Sequence, residues 1–370
     1  MLSIIHVYKD YWPMIGGIEN HIKDLADAEA AMGHDVTVLV TNPGGQAARE
    51  QINGVQVIRA ARLATLASTP LSLTFPFLLA RLRPDVTHVH FPYPVGEMSQ
   101  WLLRWQRPYV IAYHSDVVKQ QTILRFYNPL LRRVLAGASR IIVGSDNYVQ
   151  SSPYLRPLAS KCAIVPYAVD WERFAGGEPL FPADGRFTLL FMGRHRYYKG
   201  GDDLIRAMAQ LPAGLPVRLL FGGDGPLRGE WESLSRRLGV QDKITFVGHV
   251  SDETLPNFYA SGDLFVLPAN SRAEAFGKVL QEAMAAGLPC LATELGTGTS
   301  FVVQDGVTGR VVPPQQPELL AAAIYELATQ PQLCQQLGQA GQQRAQREFS
   351  LAQMVEKVQA VYTAVQTKQT

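Results

Sequence analysis

Two carboxylates, Glu274 and Glu282, stand eight positions apart in the run Glu274-Ala-Phe-Gly-Lys-Val-Leu-Gln-Glu282. Such a pair could serve as acid and base, or accept hydrogen bonds from the hydroxyls of a polyol ligand. Two fixed cations, Arg194 and Lys199, occupy the run Gly193-Arg-His-Arg-Tyr-Tyr-Lys-Gly200. Arginine grips a phosphate as a planar fork and lysine as a point charge, so the two together could hold a diphosphate. Pre-aimed charges of this kind also stabilise a departing anion, by about 3 kcal/mol per donor. Taken alone, the glutamates read as solvated surface residues and the basic run as an ordinary turn. Their place in the fold decides between these readings.

The elements around them follow a rhythm. Short apolar runs recur at Leu2–Val7, Val36–Val40, Val55–Ile58, Val86–His90, Tyr109–Ala112 and Arg140–Val143. The pattern restarts at Thr188–Met192, Val217–Phe221, Ile244–Val247, Leu264–Leu267 and Pro289–Ala292. Continuous rather than alternating runs predict parallel strands covered by helices on both faces. Helical spacing predicts helices over Ile18–Met32, which Gly33 ends, and over Asp202–Leu211, Leu255–Ala260 and Leu351–Val365. We expect two doubly wound α/β domains facing across a cleft: residues 1–172 with a returning helix in 351–370, a Gly- and Pro-containing linker at 173–186, and residues 187–350. In such sheets ligands sit at the carboxyl ends of strands. The Arg194–Lys199 turn follows one strand and the Glu274 loop another. Gly277 begins a helix whose first amide groups and dipole suit a diphosphate, and Glu282 lies about one and a half turns further along.

Composition narrows the class. The chain has 370 residues, 47% hydrophobic and 18% charged, which suits two globular cores rather than one. A net charge of +2 gives no global attraction to nucleic acid, and none is expected as a partner. Cys162, Cys290 and Cys334 fit neither a disulfide framework nor a metal spacing, which points to a reducing cytoplasm. The start of the chain lacks the basic leader and long apolar run of a signal peptide. Leu63–Ala80 is uncharged but interrupted by Pro70 and Pro76, so we read it as a buried or membrane-touching helical loop rather than a span.

Four motifs occur in order: Gly16-Gly17-Ile18-Glu19, Tyr113-His114-Ser115-Asp116, the Gly-Arg-x4-Lys-Gly turn and the Glu-x7-Glu segment. Together they resemble the retaining glycosyltransferases of family 4, over essentially the whole chain. The resemblance implies the GT-B fold, with the donor bound mainly by the C-terminal half, the acceptor mainly by the N-terminal half, and the last helix returning to the first domain. It implies that Arg194 and Lys199 neutralise the donor diphosphate, that Glu274 holds the transferred sugar and that Glu282 holds the ribose. Backbone groups of Gly16, Gly17, Phe276, Gly277 and Lys278 would meet the donor, and Gly248 and Val250 its base. His114 would approach the sugar, with Glu19 and Asp116 on the acceptor side. Lys278 stands where the family more often has an aliphatic residue; its side chain either adds a cation near the phosphates or snorkels outward. Gly222-Gly-Asp-Gly-Pro226 and Glu294-Leu-Gly-Thr-Gly-Thr299 resemble further loops of the family.

The resemblance implies retention of configuration by front-face attack, in which the leaving phosphate oxygen takes the acceptor proton. His114 then positions rather than acts as a base. The chain has no Asp-x-Asp triplet, so no metal or other cofactor is expected. Tyr113-His-Ser-Asp116, Tyr197-Tyr-Lys-Gly200 and Glu294-Leu-Gly-Thr-Gly298 together look like bacterial mannosyl- and rhamnosyltransferases of polysaccharide assembly, which favours GDP-mannose over a UDP-sugar and a glycan or glycolipid acceptor. Arg125, Arg132, Arg133 and Arg140 around Phe126–Ala138 form a basic amphipathic stretch that suits either an anionic membrane surface or a solvated helix face. A nucleotide-sugar 2-epimerase and a non-catalytic sugar-nucleotide-binding subunit are the rival readings.

Overall fold

The computed structural model describes residues 1–14, 16–66, 69–116 and 121–367, without the side chains of 121–126. The chain divides into two compact units, residues 1–167 with 351–370, and residues 168–350.

The first unit contains β1 (Ser3–Val7), β2 (Asp35–Asn42), β3 (Ala48–Ile52), β4 (Val55–Ala61), β5 (Ala64–Leu66), β6 (Thr69–Leu71), β7 (Val86–Phe91), β8 (Tyr109–Tyr113), β9 (Arg140–Val143) and β10 (Cys162–Ile164). Eight of them form one sheet in the order β10-β9-β8-β7-β1-β2-β4-β3. All pairings in it are parallel except β3 with β4. Every residue of β7 and β8 is buried, as continuous apolar runs require when both faces are covered. The order reverses direction at β1 and β7, and this switch point is where a doubly wound sheet opens a crevice at its carboxyl edge. The helix Gly17–Ala31 follows β1 directly. The last helix, Leu351–Gln366, packs on the first unit against that helix and buries Met354, Val358, Val361, Tyr362 and Val365.

The second unit contains β11 (Phe187–Met192), β12 (Val217–Gly222), β13 (Ile244–Gly248), β14 (Leu264–Leu267), β15 (Cys290–Thr293) and β16 (Gly309–Val312). They form an all-parallel sheet in the order β13-β12-β11-β14-β15-β16, whose switch point lies between β11 and β14. Its core joins Leu189, Phe191, Leu219, Phe221, Val266 and Leu291 of the sheet to Leu204, Met208, Trp231, Ile324 and Leu337 of the covering helices. The segment read from sequence as a linker is fastened to this unit. The amides of Glu178 and Leu180 donate to the Asn257 side chain and carbonyl, and that of Phe181 donates to Ser261.

Leu63–Ala80 departs from the expected helical loop. It holds the antiparallel ribbon β5–β6, then a helix from Phe75 to Arg81. Pro70 lies in the ribbon and Pro76 in the first helical turn, where a missing amide hydrogen costs nothing. Residues 67 and 68 of that stretch lie outside the described residues. Leu63, Leu66, Leu73 and Phe77 are exposed. Among the described residues no helix is long and apolar enough to cross a membrane.

Candidate active site

The switch point of the second unit gathers the charged residues. After β11 the chain turns through Gly193–Arg196 into a short turn of helix at Tyr197–Lys199. His195 is fully buried beside Phe191, Phe221 and Trp231, and its neighbour Arg194 is exposed. The buried imidazole thus anchors the turn while the guanidinium stays in solvent. The turn lies against the glycine-rich loop after β12, where the amide of His195 donates to the Asp224 carbonyl at 2.9 Å and that of Gly193 to Gly222. That loop therefore supports the basic turn through its backbone.

The loop after β14, residues 268–277, is braced on both sides. The amide of Asn270 donates to the Tyr198 carbonyl at 3.0 Å. Thr297 donates to the Glu274 carbonyl at 2.9 Å, the amide of Gly298 to that of Ala275, and Thr293 to that of Ala269. Across this scaffold Lys199 Nζ meets Glu274 Oε2 at 2.6 Å, with both side chains 11% exposed. Burial alone would pull the Lys199 ammonium down, but the Glu274 carboxylate outweighs it, with help from Tyr198 and Glu282, and holds its pKa above the usual lysine value. The two residues form a charged pair fixed in place before any ligand arrives.

Gly277 takes a left-handed conformation (φ 85°) and begins the helix Lys278–Ala285. Phe276 is buried beside it. Glu282 is partly buried and accepts from Tyr259 Oη at 2.8 Å. Burial raises its pKa above the ordinary glutamate value, against the pull of Lys278 and the Tyr259 hydrogen bond. Neither glutamate is the solvated surface residue that the pair suggests in isolation. Gly248 ends β13 and accepts from the amide of Gly223 at 2.8 Å, with Val250 buried just beyond. Glu294 is exposed and accepts from the Gly296 amide and from Ser300.

The first unit holds the remaining predicted residues. Gly16 caps the helix Gly17–Ala31, and Glu19 in its first turn folds back over Gly16; a Cβ there would lie 2.2 Å from Glu19 Oε2. This helix start is thus already faced by a carboxylate, which burial raises above the ordinary range against its own backbone hydrogen bond and Lys9. Asp116 accepts from Tyr113 Oη at 2.7 Å and Ser152 Oγ at 2.9 Å, and its amide donates to Tyr148 Oη. These bonds tie down the chain leaving β8. His114 is buried, and both of its ring nitrogens are engaged, Nε2 with His90 at 3.0 Å and Nδ1 with Tyr167 Oη at 2.6 Å. Burial drives its pKa down to about 3. It is a poor proton acceptor near neutral pH, in keeping with a positioning role.

Sequence reasoning singles out none of His6, Glu29, His88, His90, Tyr167 and Tyr259. A signal for the histidines was present: polar residues inside otherwise apolar parallel strands are buried and must find partners. His6, His88 and His90, and likewise His21, His90 and His114, bring ring nitrogens within 4.8 Å of one another, a donor type that transition metals accept. The nitrogens joining His6, His90 and His114 are already hydrogen-bonded to each other.

Two doubly wound parallel sheets, the second with cations and carboxylates at its switch point, are the architecture of the GT-B fold. Residues 15–173 match the model of Glycosyltransferase Family 4, and residues 178–344 that of the glycosyl transferases group 1. The chain is 32% identical to the D-rhamnosyltransferase WbpZ of Pseudomonas aeruginosa, over 94% of this chain and 92% of that one. It is 31% identical to the O-antigen chain mannosyltransferase C of Escherichia coli, over 98% and 99% of the two chains. In three dimensions it resembles a sucrose-phosphate synthase from Thermosynechococcus elongatus, with a TM-score of 0.79, 24% identity and 99% of each chain covered. The chain belongs to the family 4 glycosyltransferases, whose C-terminal half is the group 1 domain.

Proposed function

We propose that this glycosyltransferase moves a mannosyl residue from GDP-mannose to a glycan, lipid-linked acceptor of cell-surface polysaccharide, with retention and without a metal. The observation that carries the reading is the Lys199–Glu274 pair, set where the two switch-point loops of the second unit meet and next to the helix start at Gly277. Arg194 and Lys199 take the diphosphate, which gathers negative charge as the glycosidic bond breaks, and fixed cations stabilise that charge more than they do the bound ground state. Glu274 orients Lys199 and offers its remaining lone pairs to sugar hydroxyls. Glu282, positioned by Tyr259, accepts from the ribose. The departing phosphate oxygen takes the proton of the acceptor hydroxyl, since His114 is too weak a base. The choice of mannose is supported by the likeness of the chain to the O-antigen chain mannosyltransferase C of Escherichia coli.

A donor panel tests this. GDP-mannose is expected to bind in calorimetry and to be slowly hydrolysed, chelator is expected to leave both unchanged, and the anomeric configuration of the product is expected to match that of the donor. Binding of UDP-sugars alone would reassign the donor, inversion or loss of activity with chelator would reject the mechanism, and release of free epimerised sugar would make the protein an epimerase.

The same reading places the protein at the cytoplasmic face of a membrane. Its support is the basic helix Gln121–Gly137 with exposed Arg132 and Arg133, together with the exposed Leu63, Leu66, Leu73, Phe77 and Trp105; the side chains of Arg125 and Phe126 lie outside the described residues. Co-sedimentation with anionic vesicles at low salt is the expected result, weakening as salt screens the charges. Absence of binding at low salt would reject the placement.

A further inference from the structure

A file of buried side chains runs through the first unit and ends at His114. Its members come from separate elements: Glu29 from the helix Gly17–Ala31, His6 from β1, His90 from β7 and His114 from the residue after β8. Glu29, His6 and His90 are fully buried and His114 is 6% exposed. Glu29 Oε2 lies 2.7 Å from His6 Nε2, His6 Nδ1 lies 3.0 Å from His90 Nε2, His90 Nδ1 lies 3.0 Å from His114 Nε2, and His114 Nδ1 lies 2.6 Å from Tyr167 Oη. All six ring nitrogens of the three imidazoles are used in line.

The chemistry of these groups gives the file a direction. A neutral imidazole has one N–H and one lone pair. The carboxylate only accepts, so His6 donates Nε2–H to Glu29. His6 Nδ1 then accepts, and His90 must donate from Nε2; His90 Nδ1 accepts in turn, and His114 donates from Nε2. His114 is left with a bare Nδ1, which accepts from the Tyr167 hydroxyl. The opposite direction would need a proton on Glu29 or two on His6. The other groups around Glu29 are also donors, Gln359 Nε2 at 3.5 Å and the Tyr362 hydroxyl. Burial, reinforced by the neighbouring imidazoles in the case of His90, keeps His90 and His114 neutral. Other titratable groups line the file. His88 stacks on His90 and bonds Tyr362 Oη at 2.7 Å, His21 packs edge-on against His90 and His114, and Tyr8 packs edge-on against His90.

We infer that Glu29, His6 and His90 are positioning residues that fix the tautomer of His114, so that its Nδ1 is presented as an acceptor for a hydroxyl, that of Tyr167 in the free protein and that of a sugar substrate in the complex. The last step rests on the proposed transferase function; the tautomer does not. A lone histidine at this depth would populate either tautomer, and only one of them can accept a hydrogen bond from a hydroxyl at Nδ1. With His6 neutral, the buried anion removes that choice.

Imidazole 15N spectra of the sugar-free protein decide the tautomer, with His114→Gln used to assign the signal. The wild type is expected to show His114 protonated on Nε2 and bare on Nδ1, unchanged between about pH 6 and 8. Glu29→Gln, whose amide can face His6 with either oxygen or NH2, is expected to give mixed tautomers at His114. Transfer should fall roughly tenfold in kcat, the equivalent of one hydrogen bond, with donor KM nearly unchanged, and Glu29→Asp should restore both signals. Proton on Nδ1 in the wild type, or an unaltered His114 signal in Glu29→Gln, would overturn the inference even if Glu29→Gln lost activity through poor folding. Uptake of one Zn2+ by the wild type that is lost in His88→Phe would also overturn it, because the ring nitrogens would then be ligands. A sugar-free tautomer as stated, with a bound donor leaving the His114 signal undisturbed, would keep the file and overturn the assignment of Nδ1 to a sugar hydroxyl, and binding of no donor in the panel would count against the proposed donor alone.

Discussion

Lys199→Ala is expected to lower transfer by roughly a hundredfold or more, the scale of losing one pre-aimed charge partner of a leaving group. The same substitution should also lower thermal stability, because it leaves the Glu274 carboxylate buried without its cation. Removing one member of a buried pair costs about 3–5 kcal/mol. Glu274→Ala should behave alike, stranding the ammonium. The double substitution Lys199→Ala/Glu274→Ala is then the informative variant: much of the stability returns while the activity does not. Arg194→Ala supplies the opposite contrast. Its side chain is exposed, so turnover should fall by a similar factor with the melting temperature almost unmoved. Steady-state kinetics and thermal melts on the four proteins separate the two effects. Wild-type turnover in all three single variants would show that the chemistry lies elsewhere.

The contrast between Arg194 and Lys199 marks how far the sequence alone could lead. Both cations were visible as a spaced pair after a strand, because the strand is a continuous apolar run and the turn is bounded by glycines. The ion pair between Lys199 and Glu274 was not visible. It joins loops separated by some seventy residues, and it exists because β11 and β14 are neighbours at the switch point of the sheet. Glu282 was legible as a ligand to a polyol, yet its dependence on Tyr259 is again a contact between distant elements. Strand β3 escaped notice for a different reason: Ala-Arg-Glu-Gln-Ile is almost wholly exposed at a sheet edge and carries no apolar signal. The histidines failed in the opposite sense. A single imidazole in an apolar run gives no sign of its partners, and only the pairing of β1 with β7 and of β7 with β8 brings them into line. Local periodicity thus reveals which residues lie at strand ends, while pairings across the sheet decide what those residues do.

Gly200→Ala should be as damaging as losing Lys199 itself, although the glycine carries no chemistry. Gly200 follows Lys199 directly and adopts a left-handed conformation (φ 66°). A Cβ on it would lie 1.9 Å from the carbonyl oxygen of Pro268, which is backbone and cannot rotate away. Two costs add: about 1–2 kcal/mol for an L-residue in the left-handed region, and about 1–3 kcal/mol for overpacking against a fixed neighbour. For a unit of this size the total, about 3 kcal/mol, corresponds to a fall of about 10 °C in melting temperature. The catalytic effect has a separate origin. The contact between Gly200 and Pro268 sets the distance between the two switch-point loops, and so the 2.6 Å approach of Lys199 to Glu274. Relieving the clash must move one loop, and a displacement of about 1 Å at a charge aimed at a leaving group can cost on the order of a hundredfold. Gly229→Ala is the control. It lies in the helix Arg228–Arg237 with nothing near its missing side chain, so alanine there should stabilise by about 0.5–1 kcal/mol and leave turnover alone. If Gly200→Ala melted and turned over like the control, the two loops would not be in contact, and the pre-formed charge pair on which the proposed chemistry depends would be lost with them.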